Sequence, residues 1–235
     1  MRSWPAALWL LGAPVLLWQG HQVRRHTPRL PEPEGERQGS QGLGPPLRLL
    51  VLGDSSAAGV GVSHFDASLI AQLVKQLAPQ HQVSWQLIAR SGWTTADALK
   101  AFSCHELQAD VALIALGVND IIEGLSRRTW IRQQRQLIRH LRDAHGLKHI
   151  LLSAPPPMRD FPALPTPLRF YLGARADAFH RALRALSEEL HCHLMEIPQG
   201  SDTPLAADGF HPGATLYARW AASAANKIED LLRPA

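Results

Sequence analysis

The sequence predicts an α/β domain built on a parallel sheet with helices on both faces. Three features carry this reading. Short apolar runs recur and stop at glycine or proline. Stretches with apolar residues at three- and four-residue steps lie between them. The two kinds of segment alternate from Leu47 to the C-terminus, the pattern of repeated strand–helix–strand crossovers. A chain of 235 residues suffices for one full-sized core and not for two.

Taken in order, Leu47 to Leu52 is a short apolar run stopped by Gly53, a buried strand. Phe65 to Leu77 has helical spacing, with apolar residues at 65, 69, 70, 73, 74 and 77. Val83 to Ala89 alternates as a second strand. Thr94 or Thr95 can cap a helix over Ala96 to Phe102. Val111 to Leu116 is the third strand and ends in Gly117. Thr129 to Ala144 is an amphipathic helix, and His149 to Ser153 is the fourth strand. Leu168 to Leu190 reads as a long helix with a break at Gly173. His191 to Ile197 is the fifth strand. Pro212 to Leu232 closes the chain as a helix, with Pro212 in its first turn.

The N-terminus differs in kind. Trp4 to Trp18 is almost wholly apolar and follows Arg2, but its fifteen residues fall short of the roughly 20 that span a bilayer comfortably. Residues 1–19 are therefore read as a hydrophobic signal anchor or signal peptide. Residues 20–46, rich in proline and polar groups, read as a flexible linker, and 47–235 as the folded domain. The expected location is membrane-anchored or exported, facing the periplasm. Arg24, Arg25 and Arg29 after the segment outnumber Arg2 and keep a cytoplasmic-facing anchor open.

Composition bounds the partners. The formal charge is +4, with a sequence pI near 9.5, which suits anionic surfaces and says nothing about fold. Five arginines, Arg128, Arg132, Arg135, Arg139 and Arg142, follow one helix face. They read either as a solvated face or as a contact for anionic phospholipid headgroups. A nucleic-acid partner has only the net charge behind it and is not expected. Two cysteines exclude a disulfide scaffold and leave a Cys104–Cys192 bridge open.

In parallel sheets the working residues gather at the carboxyl ends of the strands. There the sequence places Gly53-Asp54-Ser55-Ser56, then Arg90-Ser91-Gly92, then Gly117-Val118-Asn119-Asp120. Asp208-Gly209-Phe210-His211 comes just before the last helix. Each fragment is weak alone, and their order together is specific. Rival patterns fail. His64 stands where a dinucleotide fingerprint beginning at Gly59 needs glycine, and no phosphate-binding loop or G-x-S-x-G elbow occurs. His191-Cys192-His193, placed on a strand, splits its side chains between two faces and makes no three-ligand metal site.

With these blocks the domain from about Leu47 onward resembles the SGNH hydrolase superfamily, the GDSL-like lipases and acylhydrolases. The resemblance implies a flavodoxin-like three-layer α/β/α sandwich with a five-stranded parallel sheet. It implies Ser55 as nucleophile and Asp208 with His211 as its base pair. It also implies an oxyanion hole from the Ser55 N–H, the Gly92 N–H and the Asn119 side-chain amide. The name-giving leucine is absent, replaced by Ser56, which leaves the subgroup open. The chemistry suits these residue types. A serine hydroxyl needs a neighbouring base, imidazole exchanges protons near neutral pH, and a carboxylate orients the ring.

The expected activity is ester hydrolysis on a small acyl ester, lysolipid or thioester, with no metal or organic cofactor. Acyl transfer to an alcohol uses the same site and stays open, as does a non-catalytic membrane-associated module. The loop from Pro155 to Phe170 carries Met158, Phe161, Leu164 and Phe170 among six prolines. It is expected either to wall an acyl-binding pocket or to pack on the core.

Overall fold

The structure is a computed structural model that describes residues 6–102, 108–198 and 204–233. In chain order its elements are α1 (Ala6–His26), β1 (Gln38–Gln41), β2 (Pro46–Gly53), α2 (Ser55–Ala58), α3 (Leu69–Leu77), β3 (Gln82–Ala89) and α4 (Thr95–Phe102). There follow β4 (Val111–Ala115), α5 (Val118–Ile122), α6 (Arg127–His145), β5 (His149–Ser153), α7 (Leu168–Glu189), β6 (His193–Met195) and α8 (Ala214–Leu232).

The apolar runs form the sheet because their side chains are buried, most fully in the central strands β2, β4 and β5. Strand β4 is buried at every position. The order is β1-β3-β2-β4-β5-β6. All neighbours are parallel except β1, which runs antiparallel along β3. From β2 the chain steps outward to β3, then returns to lay β4 on the other side of β2. This reversal makes the carboxyl ends of β2 and β4 the crevice of the sheet.

Successive strand residues face opposite layers. Leu50, Leu52, Ile114 and Leu152 pack under α4, α6 and α7, where Trp130 stacks on Phe179 at 4.6 Å. Leu49, Val51, Leu113 and Leu151 pack under α3 and α8, against Leu73, Tyr217 and Trp220. The result is the expected three-layer sandwich.

The structure has six strands where five are expected. The extra one, β1, lies in the proline-rich segment read as a linker. Its sequence Gln-Gly-Ser-Gln is exposed throughout, so no apolar alternation marks it, and backbone pairing to β3 defines it. Helix α1 runs past residue 19 to His26. The Gln19 side chain donates to the Thr166 carbonyl at 2.7 Å and accepts the Leu168 N–H at 3.0 Å. Pro33 is buried. Helix α7 is unbroken at Gly173, where the Cβ of Arg159 lies too close to leave room for a side chain. The last helix starts at Ala214, so Pro212 precedes its cap at Gly213. His191 lies in a turn with φ 48°, outside the three-residue strand β6.

Among the described residues no helix is long and apolar enough to cross a membrane. Cys104 lies outside the described residues. Of the five arginines on α6, Arg135 pairs with Glu189 at 2.6 Å, and Arg142 donates to the His191 carbonyl at 3.1 Å. Arg128, Arg132 and Arg139 are exposed.

Candidate active site

The end of β2 delivers Ser55. Asp54 caps α2 by accepting the Ser56 N–H at 3.0 Å and the Ser56 Oγ–H at 2.8 Å through one oxygen. Ser55 is thereby the first residue of a single turn standing at the rim of the sheet. Ser56, in place of the expected leucine, serves as hydrogen-bond donor to the buried Asp54. Burial raises the Asp54 carboxyl above its ordinary range despite those bonds and the nearby His211.

The loop before α8 delivers the base. It folds back on itself, with the Ala206 N–H on the His211 carbonyl at 2.8 Å and the Gly209 N–H on the Ala206 carbonyl at 2.9 Å. Inside this turn Asp208 Oδ1 accepts the N–H groups of Phe210 and His211, both at 3.0 Å. Its other oxygen, Oδ2, lies 2.5 Å from His211 Nδ1, and His211 Nε2 lies 2.9 Å from Ser55 Oγ. Three groups from two distant segments therefore form one hydrogen-bonded line. The Asp208 side chain is 1% exposed and that of His211 21%, so the carboxylate is shut in and the ring edge is reachable. Burial alone would raise the Asp208 carboxyl, but the bonds from His211 and Phe210 outweigh it and hold it low. Asp208 thus enters the line as an anion.

Gly92 and Asn119 border the same space as Ser55. A Cβ on Gly92 would meet no protein atom, and its φ of +83° is what calls for glycine. One N–H of Asn119 Nδ2 holds the Trp93 carbonyl at 2.9 Å, leaving the second for a ligand. Asp120, fully buried, accepts the Thr95 N–H at 3.1 Å and the Thr95 Oγ1–H at 3.0 Å. The loop after β3 and the turn after β4 are therefore stitched together by two adjacent residues of one block. Trp130 Nε1 and Gln134 Nε2 complete the shell on Thr95 Oγ1.

Burial lifts the Asp120 carboxyl to about 6, from an ordinary value of about 4. An acid that holds its proton more tightly when folded gives stability at low pH that is lost as pH rises from about 4 to about 6. Asp120→Asn is expected to reduce that loss by up to roughly 3 kcal/mol. Thermal melts at pH 4 and pH 7 check this, and equal pH dependence in both proteins would contradict it.

A cavity of about 410 Å³ opens onto the line. Leu116, Val118, Phe161, Leu205, Phe210 and Leu216 supply apolar wall, with Phe161 and Phe210 meeting edge to face at 4.9 Å. Of the four loop residues expected to wall it, only Phe161 does. Met158 and Leu164 are buried in the core beneath α7, and Phe170 is 62% exposed. The one-turn helix at 158–160 packs against α7 and turns Met158 inward. Phe210 lies inside the Asp208–His211 block. Thr27, Pro28, Leu30, Arg24 and Arg29 also line the cavity, and nothing in a linker-like composition signals it.

The sequence matches the GDSL-like Lipase/Acylhydrolase family over residues 51–219. No curated protein matches it. Among solved structures, the psychrotrophic esterase EstA of Pseudoalteromonas sp., inhibited by monoethylphosphonate, superposes with a TM-score of 0.63 at 21% identity, over 79% of this chain and 98% of that one. The Enterococcus faecalis lipase/acylhydrolase gives 0.65 at 20%, over 80% and 98%. The M. smegmatis aryl esterase gives 0.65 at 20%, over 79% and 100%. At these identities the likeness is one of fold.

Proposed function

Because the chain belongs to the GDSL-like Lipase/Acylhydrolase family, we propose that it cleaves carboxylic esters through an acyl-enzyme on Ser55. The observation that carries this is the line Ser55 Oγ–His211 Nε2, 2.9 Å, and His211 Nδ1–Asp208 Oδ2, 2.5 Å, opening on a cavity. Ser55 Oγ attacks the ester carbonyl as His211 Nε2 takes its proton. Asp208 holds the ring and offsets the imidazolium charge. The carbonyl oxygen, now negative, is met by the N–H groups of Ser55 and Gly92 and the spare N–H of Asn119. Each such donor is worth roughly 2.7–4 kcal/mol of barrier. His211 then gives its proton to the departing alcohol. Water, deprotonated by the same ring, releases the acid and restores Ser55.

The wall of Leu116, Val118, Phe161 and Phe210 favours an apolar acyl group. The cationic rim of Arg24 and Arg29 favours a substrate with an anionic portion, such as a lysophospholipid. The exposed Arg128, Arg132 and Arg139, with the apolar N-terminal segment, support work beside an anionic membrane surface.

The test is a panel of aryl esters, thioesters and lysolipids, with Ser55→Ala as control. Hydrolysis is expected in the unaltered protein only. Along an aryl-ester series kcat/KM should rise by at most about fourfold per buried methylene until the cavity is filled. Phe161→Ala should move the preferred chain length upward. A flat response to chain length would contradict the acyl wall.

A further inference from the structure

The loop after β3 carries an N–H that the reaction needs in a fixed place. It is a tight turn, closed by the Trp93 N–H on the Arg90 carbonyl at 3.2 Å. From the sheet side Asn119 holds the Trp93 carbonyl. From the outer side the loop is held by a residue that precedes the family match at 51–219. Glu32 Oε1 accepts both the Ser91 N–H at 2.7 Å and the Ser91 Oγ–H at 2.8 Å. Glu32 Oε2 pairs with Arg37 Nη2 at 2.5 Å, and Arg37 Nη1 donates to the Ala89 carbonyl at 3.1 Å. Arg37 is itself tied down, its carbonyl accepting the Leu87 N–H at 2.7 Å. Glu32 and Arg37 thus close a ring around the start of the loop, from Ala89 to Ser91.

Burial pushes the Glu32 carboxyl up, but the bonds from Ser91 and Arg37 outweigh it and hold it below the usual carboxylate range. The acceptor is a charged one, and charge-assisted bonds are about twice as strong as neutral ones. This matters because the peptide between Ser91 and Gly92 is otherwise free to turn. Gly92, at φ +83°, places little intrinsic limit on it. Fixing Ser91 through two atoms and Trp93 through its carbonyl puts an anchor on each side. Donors arranged in advance are what make an oxyanion hole effective.

We infer that Glu32 is a positioning residue that holds the Gly92 N–H in place for the oxyanion, an inference that rests on the ester-hydrolase reading. Segment 27–37 is then a working part of the active site, through this clamp and through the cavity wall at Thr27, Pro28 and Leu30.

The experiment compares Glu32→Ala and Glu32→Gln in the full chain, by ester turnover per titrated site and by the rate at which a fluorophosphonate labels Ser55. The phosphoryl oxygen needs the same donors, so labelling reads the loop without a known substrate. Glu32→Ala is expected to lower kcat and the labelling rate by about 10- to 100-fold, with KM changed less than about threefold. Glu32→Gln keeps an oxygen for Ser91 but turns its NH₂ toward Arg37, so it should recover both rates in part, to at least about threefold above Glu32→Ala. A lower melting temperature with both rates unchanged per titrated site would overturn the inference. So would a Glu32→Gln variant as slow as Glu32→Ala. If Ser55 is labelled but no ester turns over, the hydrolase reading fails while the labelling rates still judge Glu32.

Discussion

Ser55→Ala is expected to lower kcat by about a millionfold, and His211→Ala to lower it by a similar factor. Neither residue can act without the other. Without Oγ there is no acyl-enzyme to form, and without His211 Nε2 at 2.9 Å the hydroxyl keeps its proton. The double variant should therefore be no slower than either single one. Both changes leave the apolar wall and the oxyanion donors in place, so substrate affinity should change little. Steady-state kinetics on the best ester of the panel provide the test. Additive losses in the double variant would mean that the two side chains act separately, against the geometry.

Asp208→Asn is expected to cost about ten-thousandfold in kcat with the fold intact. The reason lies in how its two oxygens are used. Oδ1 is committed to the N–H groups of Phe210 and His211. An asparagine must keep its oxygen there, which turns its NH₂ toward His211 Nδ1. The ring then accepts at Nδ1 and carries its proton on Nε2, the tautomer that cannot receive a proton from Ser55. The asparagine still satisfies the turn, so the melting temperature should move little. A loss of activity that tracks a loss of folded protein would show that Asp208 serves the turn and not the ring.

The blocks at the strand ends were legible because the sheet dictates them. An apolar run ending in Gly-Asp-Ser or Gly-Val-Asn-Asp has one place to put its polar residues, at the rim. The alternation of those runs with helices implied the layers and a site at the strands' carboxyl ends, while the crevice between β2 and β4 follows from the strand order of the structure. The N-terminal segment was not legible in the same way. Strand β1 pairs mainly through backbone, and Glu32 and Arg37 sit in a polar, proline-rich stretch that reads like solvated chain. Their partners, Ser91 and Ala89, are more than fifty residues away, and no periodicity encodes such a pairing. The acyl wall was legible only in part, for another reason. Met158, Leu164 and Phe161 are alike in the sequence and all are buried, and only the packing of the 158–160 turn on α7 decides which of them also reaches the cavity. Phe210 stands in the Asp208–His211 block, where nothing in the sequence separates a wall residue from a spacer between the two.

The most direct measurement is to map the site of a fluorophosphonate adduct by mass spectrometry. The account predicts a single adduct on the peptide holding Ser55, formed quickly in the unaltered protein and absent from Ser55→Ala. An adduct on another serine, or equal labelling of the Ser55→Ala protein, would contradict it.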